Sequence, residues 1–227
     1  MDDIREINRV LREEYGEPEE PVDQSGVDYL IETILSQNTN DVNRDKAFDR
    51  LNETFDSYRE IEEADREELI DAIRVAGLGP TKAERIQNAL EIIREDQGEY
   101  SLDFIGDMDV EDGKEWLTRI PGIGPKTAAI ILCFHFRKPV IPVDTHVHRV
   151  SKRLGLIPED ASRKKAHRIL EEKVPDGIKY GFHRLLITHG RETCTARNPD
   201  CRECVLKNHC RYYEEVIEGD RTPEEFG

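Results

Sequence analysis

The chain has 227 residues, 36% charged and 37% hydrophobic, with 49 acids against 33 bases and a formal charge of −16. That length can bury a substantial core in one or two ordinary domains. No apolar run approaches the about 18 residues of a membrane span, and the first thirty residues carry charge throughout, which predicts no secretory leader and a cytoplasmic location. So many acids disfavour nucleic acid as a partner of the surface as a whole. Net charge does not describe a single face, however. An acid excess combined with 22 Arg and only 11 Lys matches the surface bias of a salt-adapted organism, in which net charge is a poor guide to partners.

In chain order, Ile4, Ile7, Val10 and Leu11 fall on one face of a helix over 1–15. Gly16–Ser25, with two prolines, reads as a linker. Asp28–Leu35 is helical and runs into Ser36-Gln37-Asn38-Thr39-Asn40, a polar helix end that projects amides. Helices follow at Asn43–Thr54 and Asp65–Ala76. Gly77-Leu78-Gly79-Pro80 breaks the pattern, and Thr81 with Glu84 forms a candidate capping box for a helix reaching about residue 96. A short helix at Asp112–Thr118 leads into Ile120-Pro121-Gly122-Ile123-Gly124-Pro125 and an apolar helix over Lys126–Phe136. Pro139–Pro142 is extended. Asp144 sits as the N-cap of the next helix, with further helices at Ser162–Val174 and Ile178–His189. The acidic segment 214–227 is expected to be mobile. Strand signals are nearly absent, so the fold class is all-α.

Three motifs carry chemistry. Two glycines and two prolines in six residues make a tight hairpin between helices. Such a turn leaves the first N–H groups of the second helix bare beside Gly122 and Gly124, where a phosphodiester can be held without reading sequence; a plain turn with no ligand is the other reading. Lys126 opens that second helix, where the dipole disfavours a cation. It is either a solvated surface lysine or a candidate amine nucleophile. Asp144, 18 residues on, lies in Val143-Asp144-Thr145-His146. A capping carboxylate is fixed in place, so it can also stabilise positive charge or assist proton transfer. His146 and His148 are two apart and do not share a helix face, which argues against a metal pair. Cys194, Cys201, Cys204 and Cys210 follow C-x6-C-x2-C-x5-C, a four-thiolate set for zinc or a [4Fe-4S] cluster. Structural zinc favours two close pairs, and only one is present. Cys133 stands alone.

Together the hairpin Ile120–Lys126, the Val-Asp-Thr-His segment and the cysteine spacing closely resemble endonuclease III, the iron–sulfur branch of the helix-hairpin-helix DNA glycosylases. The resemblance covers about residues 26–212. It implies two helical domains with a DNA-binding cleft between them: a barrel over 23–137, and a cluster domain made of 1–22 with 138–227. It further implies a monomeric, nucleoid-associated base-excision repair enzyme that flips a damaged base out of double-stranded DNA. Lys126 would attack C1′ and form a Schiff base, and β-elimination would cut the strand, so the partner is duplex DNA carrying a damaged base or an abasic site. Asp144 would support the developing sugar cation. Cys194, Cys201, Cys204 and Cys210 would hold a [4Fe-4S] cluster, chiefly structural, with a basic loop touching DNA.

Mismatch glycosylases of the superfamily place another residue at the Lys126 position, so Lys126 favours a glycosylase that is also an abasic-site lyase, acting on oxidised pyrimidines. Removal of mismatched thymine or another modified base, or an idle DNA-binding iron–sulfur protein, are the alternatives. Asn38, with Gln37 beside it, takes the position that fills the gap left by the flipped base. Leu78 resembles a second wedge, with ordinary core burial as its other reading. Gly122, Gly124, His146, Arg149 and Arg197 complete the expected DNA contacts, with Lys152, Arg153, Arg184, Arg191, Arg202 and Lys207 adding local positive charge. Two departures weaken phosphate contacts: Pro125 stands where the family often has a basic residue, and Asp200 enters the first inter-cysteine loop.

Overall fold

Short polar side chains start many of the helices. Ser25, Asn40, Ser57, Asp65, Asp144 and Ser162 each accept a hydrogen bond from a backbone N–H two or three residues ahead, satisfying a donor that the helix cannot use itself. The computed structural model describes residues 2–19 and 24–226, and no strand occurs among them. The α-helices are α1 Asp2–Tyr15, α2 Gly26–Ser36, α3 Asp41–Thr54, α4 Tyr58–Glu63, α5 Arg66–Ala72, α6 Gly79–Gln97, α7 Val110–Thr118, α8 Pro125–Phe134, α9 Thr145–Arg153, α10 Arg163–Lys173, α11 Lys179–Glu192 and α12 Pro223–Phe226. No helix among the described residues is long and apolar enough to cross a membrane.

The chain divides into two compact units. One is Pro21–Lys138; the other combines the N-terminal segment with Pro139–Gly227. The expected boundary at 22–23 lies outside the described residues.

In the first unit, Leu30, Ile31, Ile34 and Leu35 of α2, with Ile86, Leu90 and Ile93 of α6, are fully buried. Each such side chain contributes about 1.5–3 kcal/mol of transfer free energy. α4, not expected from its six polar-rich residues, is tied to α6 by polar contacts. Gln87 donates to the carbonyls of Ile61, Glu62 and Ala64 at 3.0–3.2 Å. Glu62 accepts from Arg94 Nε and Nη2 at 3.0 and 2.9 Å and from the Tyr100 hydroxyl at 2.7 Å.

The region between α5 and α6 departs from expectation. α5 ends at Ala72, and a 3-10 turn over Arg74–Ala76 leads to Gly77 at φ 71°. α6 then begins at Gly79 with Pro80 in its first turn, where a missing N–H is harmless. The cap position belongs to Leu78, with no side-chain cap bond. Thr81 is therefore inside the first turn, and no capping box with Glu84 forms.

In the second unit, Ile4, Ile7 and Leu11 of α1 pack into a core with Val147 and Val150 of α9 and Phe182, Leu185 and Leu186 of α11. α9 and α11 approach closely at Gly190, where an added Cβ would lie 3.1 Å from the His146 ring. The acidic C-terminus is docked rather than loose. Phe226 is 2% exposed and meets the Tyr212 ring edge-on at 5.0 Å. Arg221 reaches both Glu159 and Glu215. One apolar residue at the end of an acidic tail outweighed the tail's composition.

Burial pushes the Glu62 carboxyl upward, but the hydrogen bonds from Arg94 and Tyr100 outweigh it and hold the group below its usual 4.5. The ionised form therefore stabilises the fold at higher pH, and that contribution disappears as pH falls through the lowered value. Thermal melts of Glu62→Gln and wild type should differ at neutral pH and converge on acidification. A gap that stays constant down to about pH 3 would remove the ion pair as its cause.

Candidate functional sites

In the first unit, α7 and α8 flank the turn Ile120–Gly124. Gly122 has φ 87°, a conformation L side chains rarely adopt. Nothing lies within 4 Å of the place a Cβ on Gly124 would take, so that side of the turn is open to an approaching group. α8 begins with Pro125 and has no side-chain cap, which leaves its first-turn N–H groups and the positive end of its dipole bare. Lys126 is exposed in that first turn. It lines a pocket with Gln37, Asn38, Arg85 and Gly122.

The polar run after α2 is organised by the same corner. Gln37 closes α2, and its Nε2 donates to the Gly122 carbonyl at 3.1 Å, while its Oε1 accepts from Arg85 Nη1. The Gln37 amide is thus engaged at both ends. Asn38 is exposed and left-handed at φ 55°, a conformation Asn tolerates. Leu78 is also left-handed, at φ 53°, and 55% exposed. That exposure removes ordinary core burial as its explanation. An apolar, β-carbon-bearing residue held at this backbone conformation is strained by about 1–2 kcal/mol, the kind of strain that collects at functional positions.

A buried cation supports both loops. Lys82, 1% exposed, donates from Nζ to the Leu35 carbonyl at 2.7 Å and the Ala76 carbonyl at 2.9 Å. Burial, with Arg85 nearby, lowers its pKa. Leu35 lies in the last turn of α2, two residues before Gln37, and Ala76 precedes Leu78 by two residues. Lys82 and Arg85 escaped the sequence reading because each looks like an ordinary surface residue of a polar helix; only the fold turns one inward and the other toward the hairpin.

In the second unit, Asp144 Oδ1 accepts from Val147 N at 2.7 Å, so the carboxylate is pinned at the start of α9. His146 and His148 diverge: His146 Nδ1 lies 3.2 Å from Arg149 Nη2, and His148 Nε2 lies 2.7 Å from the Ala161 carbonyl. Arg149 donates to the carbonyls of Cys194 and Gly190 at 3.0 and 2.7 Å. Arg153 donates to the Thr195 carbonyl at 2.7 Å and to Cys194 Sγ at 3.3 Å, and lies over the Tyr212 ring. These two arginines hold the cysteine loop to α9. Arg197 is exposed and lines a groove with His148 and Lys152.

The four clustered cysteines ring one cavity, closed by Val150, Leu154, His189 and Tyr212. Cys133 is elsewhere, buried in α8. Burial raises the thiol pKa values of Cys204 and Cys210 to about 11 and 12, and that of Cys201 in the same direction. The bare thiols are therefore protonated near neutrality, and a metal must displace those protons to bind. Among the described residues no three His, Cys, Asp or Glu groups meet as a single-ion site. Four sulfurs spaced around a shared cavity are a donor set that fits a cluster of several irons. His189 Nε2 lies 3.7 Å from Cys204 Sγ, and its Nδ1 is 3.0 Å from the hydroxyl of Tyr15 of α1. The N-terminal helix thereby braces the cavity. Burial lowers the His189 pKa to about 4, which keeps the ring neutral.

An uncapped hairpin helix bearing an exposed lysine, in an all-helical chain with a four-thiol cavity, defines the class of helix-hairpin-helix DNA glycosylases with an iron–sulfur site. Residues 31–176 match the family of HhH-GPD superfamily base excision DNA repair proteins, and residues 194–210 match the iron–sulfur binding domain of endonuclease III. The chain is 40% identical to an endonuclease III of Sulfolobus acidocaldarius over 190 residues, covering 83% of this chain and 82% of that one. It is 32% identical to the endonuclease III of Escherichia coli over 212 residues, 93% and 96% of the two chains. A solved non-covalent endonuclease III–DNA complex superposes with a TM-score of 0.77 at 30% identity, over 96% of this chain and 98% of that one. A thermostable thymine-DNA glycosylase, 21% identical, shares the fold at a TM-score of 0.79, over 95% and 98% of the two chains. The chain belongs to the endonuclease III family of the helix-hairpin-helix superfamily. It is a DNA glycosylase with a [4Fe-4S] cluster.

We assign that cluster to Cys194, Cys201, Cys204 and Cys210. Replacing Cys204 by Ser should remove most bound iron and the broad visible absorbance, and should lower the melting temperature, because ligation free energy is folding free energy here. Cys133→Ala should leave iron and colour intact. Full iron in the Cys204 variant would overturn the assignment.

Proposed function

We propose that this enzyme excises oxidised pyrimidines from duplex DNA as a monomer and then cleaves the strand at the abasic site through a Schiff base on Lys126. The observation that carries this reading is the amine itself: exposed, on the first turn of an uncapped helix, in one pocket with Gln37 and Asn38. A solved relative, 30% identical, is a trapped covalent intermediate of endonuclease III with DNA, which supports a covalent route.

In this reading Lys126 Nζ, unprotonated, attacks C1′. The glycosidic C–N bond breaks, and the base leaves with the bonding electrons and takes up a proton. The sugar opens to an imine on Nζ. Loss of a C2′ proton then breaks the C3′–O bond, leaving an unsaturated sugar on one fragment and a 5′-phosphate on the other. Water hydrolyses the imine and frees the lysine. Asp144, fixed by the Val147 N–H, holds negative charge where the sugar becomes cationic and assists proton transfer. The open first-turn N–H groups of α8 beside Gly122 and Gly124 grip a phosphodiester. Asn38 and Leu78 fill the space vacated by the flipped nucleotide, Gln37 holding the loop from behind; unstacking of a few kcal/mol is offset by these contacts. Exposed Arg197 meets the backbone, whereas His146, paired with Arg149, and Arg149, committed also to backbone carbonyls, act as braces. The cluster, when bound, cross-links residues 194–210 and stabilises the fold. The acid excess is the surface of a protein that works in concentrated salt.

Borohydride trapping on a duplex with one thymine glycol, repeated across a range of salt, tests the reading. Wild type should give a covalent adduct and Lys126→Gln none. Base release without an adduct would mean a glycosylase that lacks the lyase step; no release and no adduct would exclude oxidised pyrimidines. Asp144→Asn provides a second test, since Asn caps a helix about as well as Asp while lacking the charge. It should fold normally and slow single-turnover base release by about 10²–10⁴-fold. An unchanged rate would leave Asp144 as a cap only.

A further inference from the structure

The guanidinium of Arg85 is placed unlike an ordinary surface arginine. α6 carries it across the hairpin, and its side chain fills the space a Cβ on Gly122 would need: such an atom would lie 2.5 Å from Arg85 Cδ and 2.9 Å from Cζ. Gly122 is thus a notch for this arginine as well as a turn residue. Nη1 donates to Gln37 Oε1, and Gln37 passes the link to the Gly122 carbonyl. Nε and Nη2 have no hydrogen-bond partner, and no carboxylate pairs with the group, among the described residues. In a chain with 16 more acids than bases, this half-buried arginine has no acid beside it and is free to take another anion. It shares its pocket with Lys126 and with the bare first turn of α8. The residue that starts that turn, Pro125, supplies neither an N–H nor a charge.

We propose that Arg85 is a DNA-contacting residue of this enzyme: its free Nε and Nη2 hold the phosphodiester gripped by the hairpin, supplying from α6 the positive charge that position 125 lacks. The inference rests on the reading of this pocket as the lesion-strand site. A guanidinium suits the task because its planar fork matches two phosphate oxygens. Its Nη1 bond to Gln37 fixes the fork's orientation before DNA arrives, so little side-chain entropy is lost on binding.

The test is binding of the full-length holoenzyme to a duplex carrying a stable abasic-site analogue, followed as a function of salt. Each phosphate neutralised contributes about 0.9 to the slope of log affinity against log salt. Arg85→Gln should therefore bind more weakly and with a slope smaller by about 0.9, so that its deficit relative to wild type shrinks about threefold between about 50 and 200 mM salt. Arg85→Lys, which keeps the charge, should recover the slope. Gln37→Ala, which removes only the brace, should keep it. An Arg85→Gln slope equal to that of wild type would overturn this inference while leaving the lesion-strand reading intact. So would a Gln37→Ala slope that falls as far as that of Arg85→Gln, since Arg85 would then act only through the glutamine. Failure of wild type itself to bind the abasic duplex would overturn both.

Discussion

A helix of ten or fourteen residues leaves a large share of its backbone polar groups without an internal partner, and a protein built from such helices must find partners for all of them or leave them open by design. Here many ends are closed. Ser25, Asn40, Ser57, Asp65, Asp144 and Ser162 close N-termini. Lys82 closes the end of α2 from inside the core, and Arg149 reaches the Gly190 carbonyl in the last turn of α11. α8 has no such cap, and the pocket at its start is where Lys126 lies. α6, α7 and α11 also start without a side-chain cap; an unsatisfied helix start is tolerable only where solvent or a ligand can reach it, and α8 meets that condition beside the exposed Lys126.

The same economy governs the cations. Arg149 and Arg153 stand in a basic stretch of sequence, yet their guanidinium groups bind carbonyl oxygens of the cysteine loop, and Arg153 also meets a cysteine sulfur. A guanidinium offers five donors in a rigid plane, so it can fasten a loop that has no regular backbone pairing of its own. Lys126 and Arg197, by contrast, are exposed and so available to a phosphate or a sugar. A strongly negative chain can therefore act on a polyanion: what counts is the cations that remain uncommitted, not the sum over the molecule.

Much of the fold was legible beforehand because helical periodicity and capping residues are local signals. Asp144 was readable as an N-cap, the hairpin as a turn between helices, and the four cysteines as a metal-cluster set. The misreadings have a common origin. Thr81 with Glu84 satisfies the letter of a capping box, but α6 starts earlier, at a left-handed Leu78 fixed by its surroundings. The acidic C-terminus looked mobile by composition, but Phe226 finds the Tyr212 ring and stays. α4 was invisible because its stability comes from Gln87, Arg94 and Tyr100, which lie 23 or more residues away in sequence.

What the sequence determined by itself is the set of locally encoded features: the helices, the glycine turn at 120–124, the lysine at the start of α8, the carboxylate at the start of α9 and the spacing of Cys194, Cys201, Cys204 and Cys210. Each depends on residues within one or two turns, where propensity and hydrogen-bond geometry act directly. The tertiary structure alone decided the occupation of each polar side chain: Lys82 buried against two carbonyls, Gln37 held between Arg85 and Gly122, Arg149 and Arg153 drawn onto the cysteine loop, and Leu78 left exposed. Those outcomes depend on which donors and acceptors packing brings within about 3 Å, and partners distant in sequence leave no mark on local pattern.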